Sequence, residues 1–110
     1  MAERYQVVWS DAAAADLEAI GVSIALDSPA AAFDVLTKLE KRAASLKTSP
    51  QRGRRIPELE FFAVQAWREL VMRPYRLMYE ISGDSVRVLG VFDGRRDLQD
   101  VLLERALREG

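Results

Sequence analysis

Arg76 stands inside an apolar run, Tyr75 to Ile81, and Arg87 inside a second, Val86 to Phe92. Arg68 lies on a third such run, and Arg95 and Arg96 follow Gly94 directly. Guanidiniums that converge from neighbouring strands can grip a phosphate in pairs of hydrogen bonds and stabilise charge developing on it. Each could instead be neutralised by a nearby acid, Arg96 by Asp93 or Asp97 for example. A mid-strand arginine between apolar residues needs a partner of some kind, because an unpaired buried cation is costly. A second group, Arg52, Arg54 and Arg55, falls in a loop and could extend an anion-binding strip or simply be solvated.

The rest of the chemical inventory is narrow. The 110 residues contain no cysteine and no histidine. Disulfides, thiolate metal sites and thiol nucleophiles are therefore excluded, as is the commonest side chain that titrates near neutral pH. No glycine-rich phosphate loop, carboxylate pair at metal spacing or serine–base arrangement is present, so neither a metal nor a cofactor is expected. The net charge of −1 conceals segregation. Residues 1–37 sum to −5, residues 38–76 to +6 and residues 77–110 to −2. A basic middle in an acidic frame suits an anionic partner as well as an ordinary mixed surface.

The elements that must position these arginines read in order. The run Arg4 to Trp9 is β-branched and aromatic, as strands are. Ser10 is a natural helix cap, and Leu17, Ile20 and Ile24 recur at helical spacing after it, although Gly21 weakens the middle. Ser28 and Pro29 open a second helix with Phe33, Leu36, Leu39, Ala43 and Leu46 on one stripe. Two helices joined this closely form an antiparallel hairpin. Pro50, Gly53 and Pro57 predict irregular chain, followed by strands over Trp67–Met72, Tyr75–Ile81 and Val86–Phe92 and a short helix over 98–109. The turn "SGDS" marks a hairpin between the last two strands.

This is one α+β domain over 1–110, β-α-α-β-β-β-α, with an antiparallel sheet packed on the helical hairpin. Strand alternation groups Arg76, Met78 and Glu80 on one face, joined by Arg87 and Leu89, as an open concave surface. It puts Tyr75, Leu77, Tyr79 and Ile81 in the core, and Val86, Val88 and Phe92 together on one side. Trp9, Phe33, Tyr75, Tyr79 and Phe92 are expected to pack inside, whereas Phe61, Phe62 and Trp67 stand near a loop. No run is long enough for a signal peptide or a membrane span, so a soluble cytoplasmic protein with no membrane partner is expected.

The chain resembles the RelE/ParE superfamily, the toxins of type II toxin–antitoxin modules, often described as plasmid stabilisation proteins. The segments that carry the resemblance are "WSDAAAADLEAI", "SPAAAFDVLTKLEKRAASLKTSPQRGRR", "IPEL" and "WRELVMRPYRLMYEISGDSVRVLGVFDGRRDL". It implies growth arrest relieved by a cognate antitoxin, with a toxin–antitoxin hetero-oligomer. RelE-like members are ribosome-dependent mRNA endoribonucleases, and ParE-like members inhibit DNA gyrase. For a ribonuclease the resemblance implies Arg68, Arg76 and Arg96 as catalytic residues, but a strand lysine of that pattern falls at Leu70 and a late tyrosine near Leu102. The long helical hairpin and the "GRRIPEL…WREL" junction resemble ParE more closely, which favours gyrase. Arg54, Arg55, Arg76, Met78, Arg87, Leu89, Arg95 and Arg96 are then implied as antitoxin- or target-binding.

Overall fold

The computed structural model describes residues 4–59 and 67–109. A strand β1 (Gln6–Trp9) leads into helix α1 (Asp11–Ala25), whose first turn is capped by the Ser10 hydroxyl accepting from the Ala13 amide. Helix α2 (Pro29–Ala44) starts the same way, Ser28 accepting from the Ala31 amide with proline at its first position. Gly21 leaves α1 unbroken and is buried against α2; a methyl group there would sit 2.8 Å from a Leu36 methyl. Its role is close helix approach.

A single-turn helix (Ser45–Lys47) follows, then β2 (Arg54–Arg55), a second single-turn helix (Pro57–Leu59), and strands β3 (Trp67–Met72), β4 (Tyr75–Ser82) and β5 (Ser85–Asp93). Helix α3 (Leu98–Glu109) closes the chain. The five-stranded sheet has the order β1-β5-β4-β3-β2. Strands β2 to β5 pair antiparallel, but β1 pairs parallel with β5, so the sheet is mixed. The parallel edge follows from the long excursion through both helices before the sheet resumes. β2 is absent from the order read from sequence, because two arginines between a glycine and a proline carry no strand pattern of their own. Their pairing comes from β3, Arg54 opposite Glu69 and Arg55 opposite Arg68.

Two apolar clusters lie on opposite faces of the sheet. Under the helical hairpin, Leu39, Ala43, Leu46, Leu70, Leu77, Tyr79, Val86, Val88 and Val91 are buried. On the other face Ile56, Leu59, Met78, Phe92, Leu98 and Val101 form the second cluster, supplied by α3 and the Pro57–Leu59 turn. The concave face is thus covered by this chain's own segments rather than left open.

Phe92 falls on the opposite side from Val86 and Val88, against strict alternation. The register slips between Met78 and Tyr79, which face Gly90 and Val88, so Leu89 is an extra residue on β5. Such a bulge reverses the facing of every residue beyond it. Phe33 is a second correction: at 74% exposure it lies outside the stripe that buries Leu39, Ala43 and Leu46. Trp9 and Tyr75 pack at the rim of the first cluster, and Trp67 at the rim of the second, its indole donating to Glu80. Phe61 and Phe62 lie outside the described residues.

Candidate functional site

The densest polar construction is a four-residue chain of charges across β2, β3, β4 and the Pro57–Leu59 turn. Arg54 lies opposite Glu69, and Arg76 lies two residues diagonally from it on the next strand. Glu69 has a fully buried side chain and accepts from Arg54 Nε at 2.7 Å and from Arg76 Nε at 2.6 Å. The outer end of the Arg76 guanidinium takes Glu58 in a bidentate pair, Nη1 at 2.6 Å and Nη2 at 2.8 Å. The Arg76 guanidinium carbon also lies 5.5 Å from the centre of the Phe92 ring, within cation–π reach. Glu58, held first by the Arg76 hydrogen bonds, has its carboxyl below the ordinary glutamate range, and Arg76 is pushed up by the same pair. This buried arginine is satisfied from within the chain.

A different construction holds the arginine loop. Tyr79 Oη donates to the Pro50 carbonyl at 2.7 Å and accepts from the Gly53 amide at 2.9 Å. Arg68 Nη1 donates to the Gly53 carbonyl at 2.9 Å. Burial raises the Tyr79 hydroxyl's pKa. Arg52 is tied back to the Ser45 hydroxyl at 2.7 Å.

Arg68 is thus part of the construction that holds the loop. It pairs across the strands with Tyr79 and shares that residue's face, under the helical hairpin, whereas Arg76 lies on the α3 face with Phe92. Arg96 is exposed and paired with Glu104 of α3 at 2.7 Å. The structure does not bring Arg68, Arg76 and Arg96 together. Arg95 is clasped by Asp93, whose carboxyl it draws down to about 2.

Three of the expected binding residues share a surface, while Arg55, opposite Arg68 in the register, lies apart from it. Met78, Arg87 and Leu89 line one cleft with Trp67, Phe92 and Leu102, roofed by α3 and flanked by the start of α1. Met78 is 4% exposed there, so it is floor rather than rim. Arg87 is exposed, with Glu80 at 4.0 Å. Leu70, at the lysine position of the ribonuclease pattern, is buried in the hairpin core, and Leu102 packs beside the second cluster.

Sequence reasoning missed how α3 is fastened. At the bulge, Arg105 Nη1 donates to the Leu89 carbonyl at 2.8 Å, and Asp16 of α1 accepts from the Val91 amide at 3.0 Å. Arg105 and Asp16 are themselves ion-paired, so one clasp joins α1, β5 and α3. No spacing in the sequence announces a pair 89 residues apart. Among the described residues no group of three or more acidic side chains is placed to hold a metal ion, and no helix is long and apolar enough to cross a membrane.

The fold is that of a small α+β domain with a five-stranded mixed sheet. Residues 7–98 match the family model described as the ParE toxin of the type II toxin–antitoxin system parDE. The chain belongs to this family of toxins, within the RelE/ParE superfamily. It is 37% identical over 87 residues to the protein named Toxin RelE2 of Caulobacter vibrioides, spanning 78% of this chain and 91% of that one. Among solved structures it resembles a chain of the chromosomal ParDE system from P. aeruginosa, with a TM-score of 0.67 and 22% identity over 82% of this chain and 96% of the other. It also resembles a chain of the Mycobacterium tuberculosis RelBE2 toxin–antitoxin complex, with a TM-score of 0.62 and 21% identity over 84% and 94% of the two chains. A mutant E. coli RelE toxin in the free state aligns with a TM-score of 0.59 and 19% identity, covering 96% of this chain and 97% of that one. These structural likenesses describe the fold.

Proposed function

We propose that this toxin arrests growth by inhibiting DNA gyrase and is neutralised by a cognate antitoxin. The observation that carries the choice of target is the placement of Arg68 and Arg76 on opposite faces of the sheet. A ribonuclease that used both would need them on one phosphate. The sequence, moreover, offers no histidine to accept a 2′-hydroxyl proton. An inhibitor acting by recognition requires only an exposed, shaped surface, and the exposed Arg87, Arg95 and Arg96 offer suitable charge for one. The antitoxin partner is carried over from the toxin–antitoxin systems of the structural relatives.

The test is induced expression in a bacterial host lacking the antitoxin, with plasmid supercoiling and message integrity read from the same culture. Cleaved or relaxed plasmid with intact messages is the expected outcome. Cut messages with normal plasmid would replace the proposal with the endoribonuclease reading, and normal growth would make the chain an inactive antitoxin-binding relative.

A further inference from the structure

The two partners of Arg76 differ in kind. Glu69 is wholly buried and belongs to the sheet, whereas the Glu58 side chain is 42% exposed and sits on a three-residue turn. Glu69 and the Phe92 ring fix the guanidinium from behind, and its two terminal nitrogens face outward onto Glu58. We propose that this fork is a carboxylate-binding site, that Glu58 fills it in cis, and that an acidic segment of a partner protein takes Glu58's place.

The occupant describes the ligand. Glu58 is flanked on its turn by Ile56 and Leu59, at 2% and 9% exposure, and both pack on the cluster that holds Met78 and Phe92. The surface therefore suits an aliphatic–acidic–aliphatic stretch. A peptide that displaces the whole turn can reproduce both the ion pair and the apolar contacts. In Glu58→Ala, where Ile56 and Leu59 stay seated, it supplies the ion pair. When Glu58 leaves, Arg54 and Arg76 keep Glu69 as their carboxylate among the described residues, a net positive charge that suits an incoming carboxylate. A cleft beside the fork, lined by Arg54, Arg73, Arg76 and Arg95, gives an acidic chain an approach. That the incoming segment belongs to the antitoxin rests on the function proposed above. The chemistry of the site does not.

A carboxylate tethered in cis acts at an effective concentration on the order of millimolar, so it suppresses binding in trans until it is removed. The probe is a capped synthetic peptide with the sequence of residues 55–59, RIPEL, titrated into the full-length wild type and Glu58→Ala, with RIPQL and a short single-stranded RNA as controls. Glu58→Ala is expected to bind RIPEL at least about ten-fold more tightly than wild type does, and more tightly than it binds RIPQL. Equal affinities in the two proteins, or no preference for RIPEL over RIPQL, would overturn the proposal. Preference of the variant for RNA over peptide would overturn the assignment to a protein carboxylate. Should Glu58→Ala fail to fold, Glu58→Gln keeps the side-chain volume. The wild type gives an independent reading, because the Leu59 amide is bonded to the Ile56 carbonyl at 3.0 Å. Saturating RIPEL is expected to lower its hydrogen-exchange protection, and unchanged protection would count against displacement. A negative peptide result leaves the plasmid assay untouched, and a negative plasmid result leaves a positive peptide result standing.

Discussion

Arg76 shows how one residue can tie the sheet together and offer a binding group at the same time. Its position between apolar neighbours demands an anion, and the chain supplies two. Arg76→Ala would leave Glu69 buried with Arg54 as its remaining charged partner, and is expected to cost about 3 kcal/mol in denaturant unfolding. Loss of toxicity in that variant would therefore need a stability control before it counted as loss of a recognition or reaction group. Glu58 yields a pH prediction of definite sign. Its carboxyl titrates lower folded than unfolded, so the unfolded chain takes up the proton first as pH falls. The stability it contributes is fully present above the ordinary glutamate value of 4.5 and is lost as pH drops through the lower folded value. Thermal melts stepped down through this window should show a shallower decline for Glu58→Gln than for wild type, and parallel curves would refute the linkage.

At the scale of elements, the arginine loop is held from beneath by one tyrosine and one glycine. A methyl group at Gly53 would lie 2.5 Å from the Tyr79 hydroxyl and 2.6 Å from the Glu69 carbonyl. The carbonyl belongs to the sheet and cannot yield cheaply, so Gly53→Ala is expected to destabilise by about 1–3 kcal/mol. Tyr79→Phe removes the partner of the Pro50 carbonyl and the Gly53 amide, and is expected to cost about 1–3 kcal/mol by the same unfolding measurement. Neither variant touches Arg87, Arg95 or Arg96. If recognition depends on those residues alone, both variants should keep partner affinity at temperatures where they remain folded. Affinity falling together with loop order would bring Arg52, Arg54 and Arg55 into the binding surface.

At the scale of the molecule, two apolar layers sandwich the sheet, and Arg87 and Arg95 are among its exposed cations. The Arg87 and Arg95 side chains are 58% and 79% exposed. Reversing both to glutamate is expected to leave the melting temperature nearly unchanged, because exposed ion pairs contribute little. The proposed antitoxin contact should nevertheless weaken by about ten-fold or more, with the loss larger at low salt. Unchanged affinity would move the antitoxin site away from these residues.

Much of this was legible in the sequence, and for local reasons. Ser10, Ser28 and Pro29 mark helix starts because capping and proline geometry act within four residues. The limits Trp67–Met72 and 98–109 follow from side-chain periodicity bounded by turn residues. The family's motifs run through the same segments. What tertiary structure decided depends on residues distant in the chain. One extra residue at Leu89 moved Phe92 to the other face, and alternation cannot register a bulge whose cause lies on the neighbouring strand. The strand β2 exists because β3 is there to pair with it. The partners of Arg76 were not identified beforehand, since Glu58 and Glu69 meet it only after the sheet is built, and the same pairing of strands sends Arg68 to the opposite face. The sequence by itself determined which elements form and which charges they carry, because propensity and composition are local. Only the tertiary structure decided which charges meet, because a buried cation takes its partners from whatever the folded chain brings within hydrogen-bond reach.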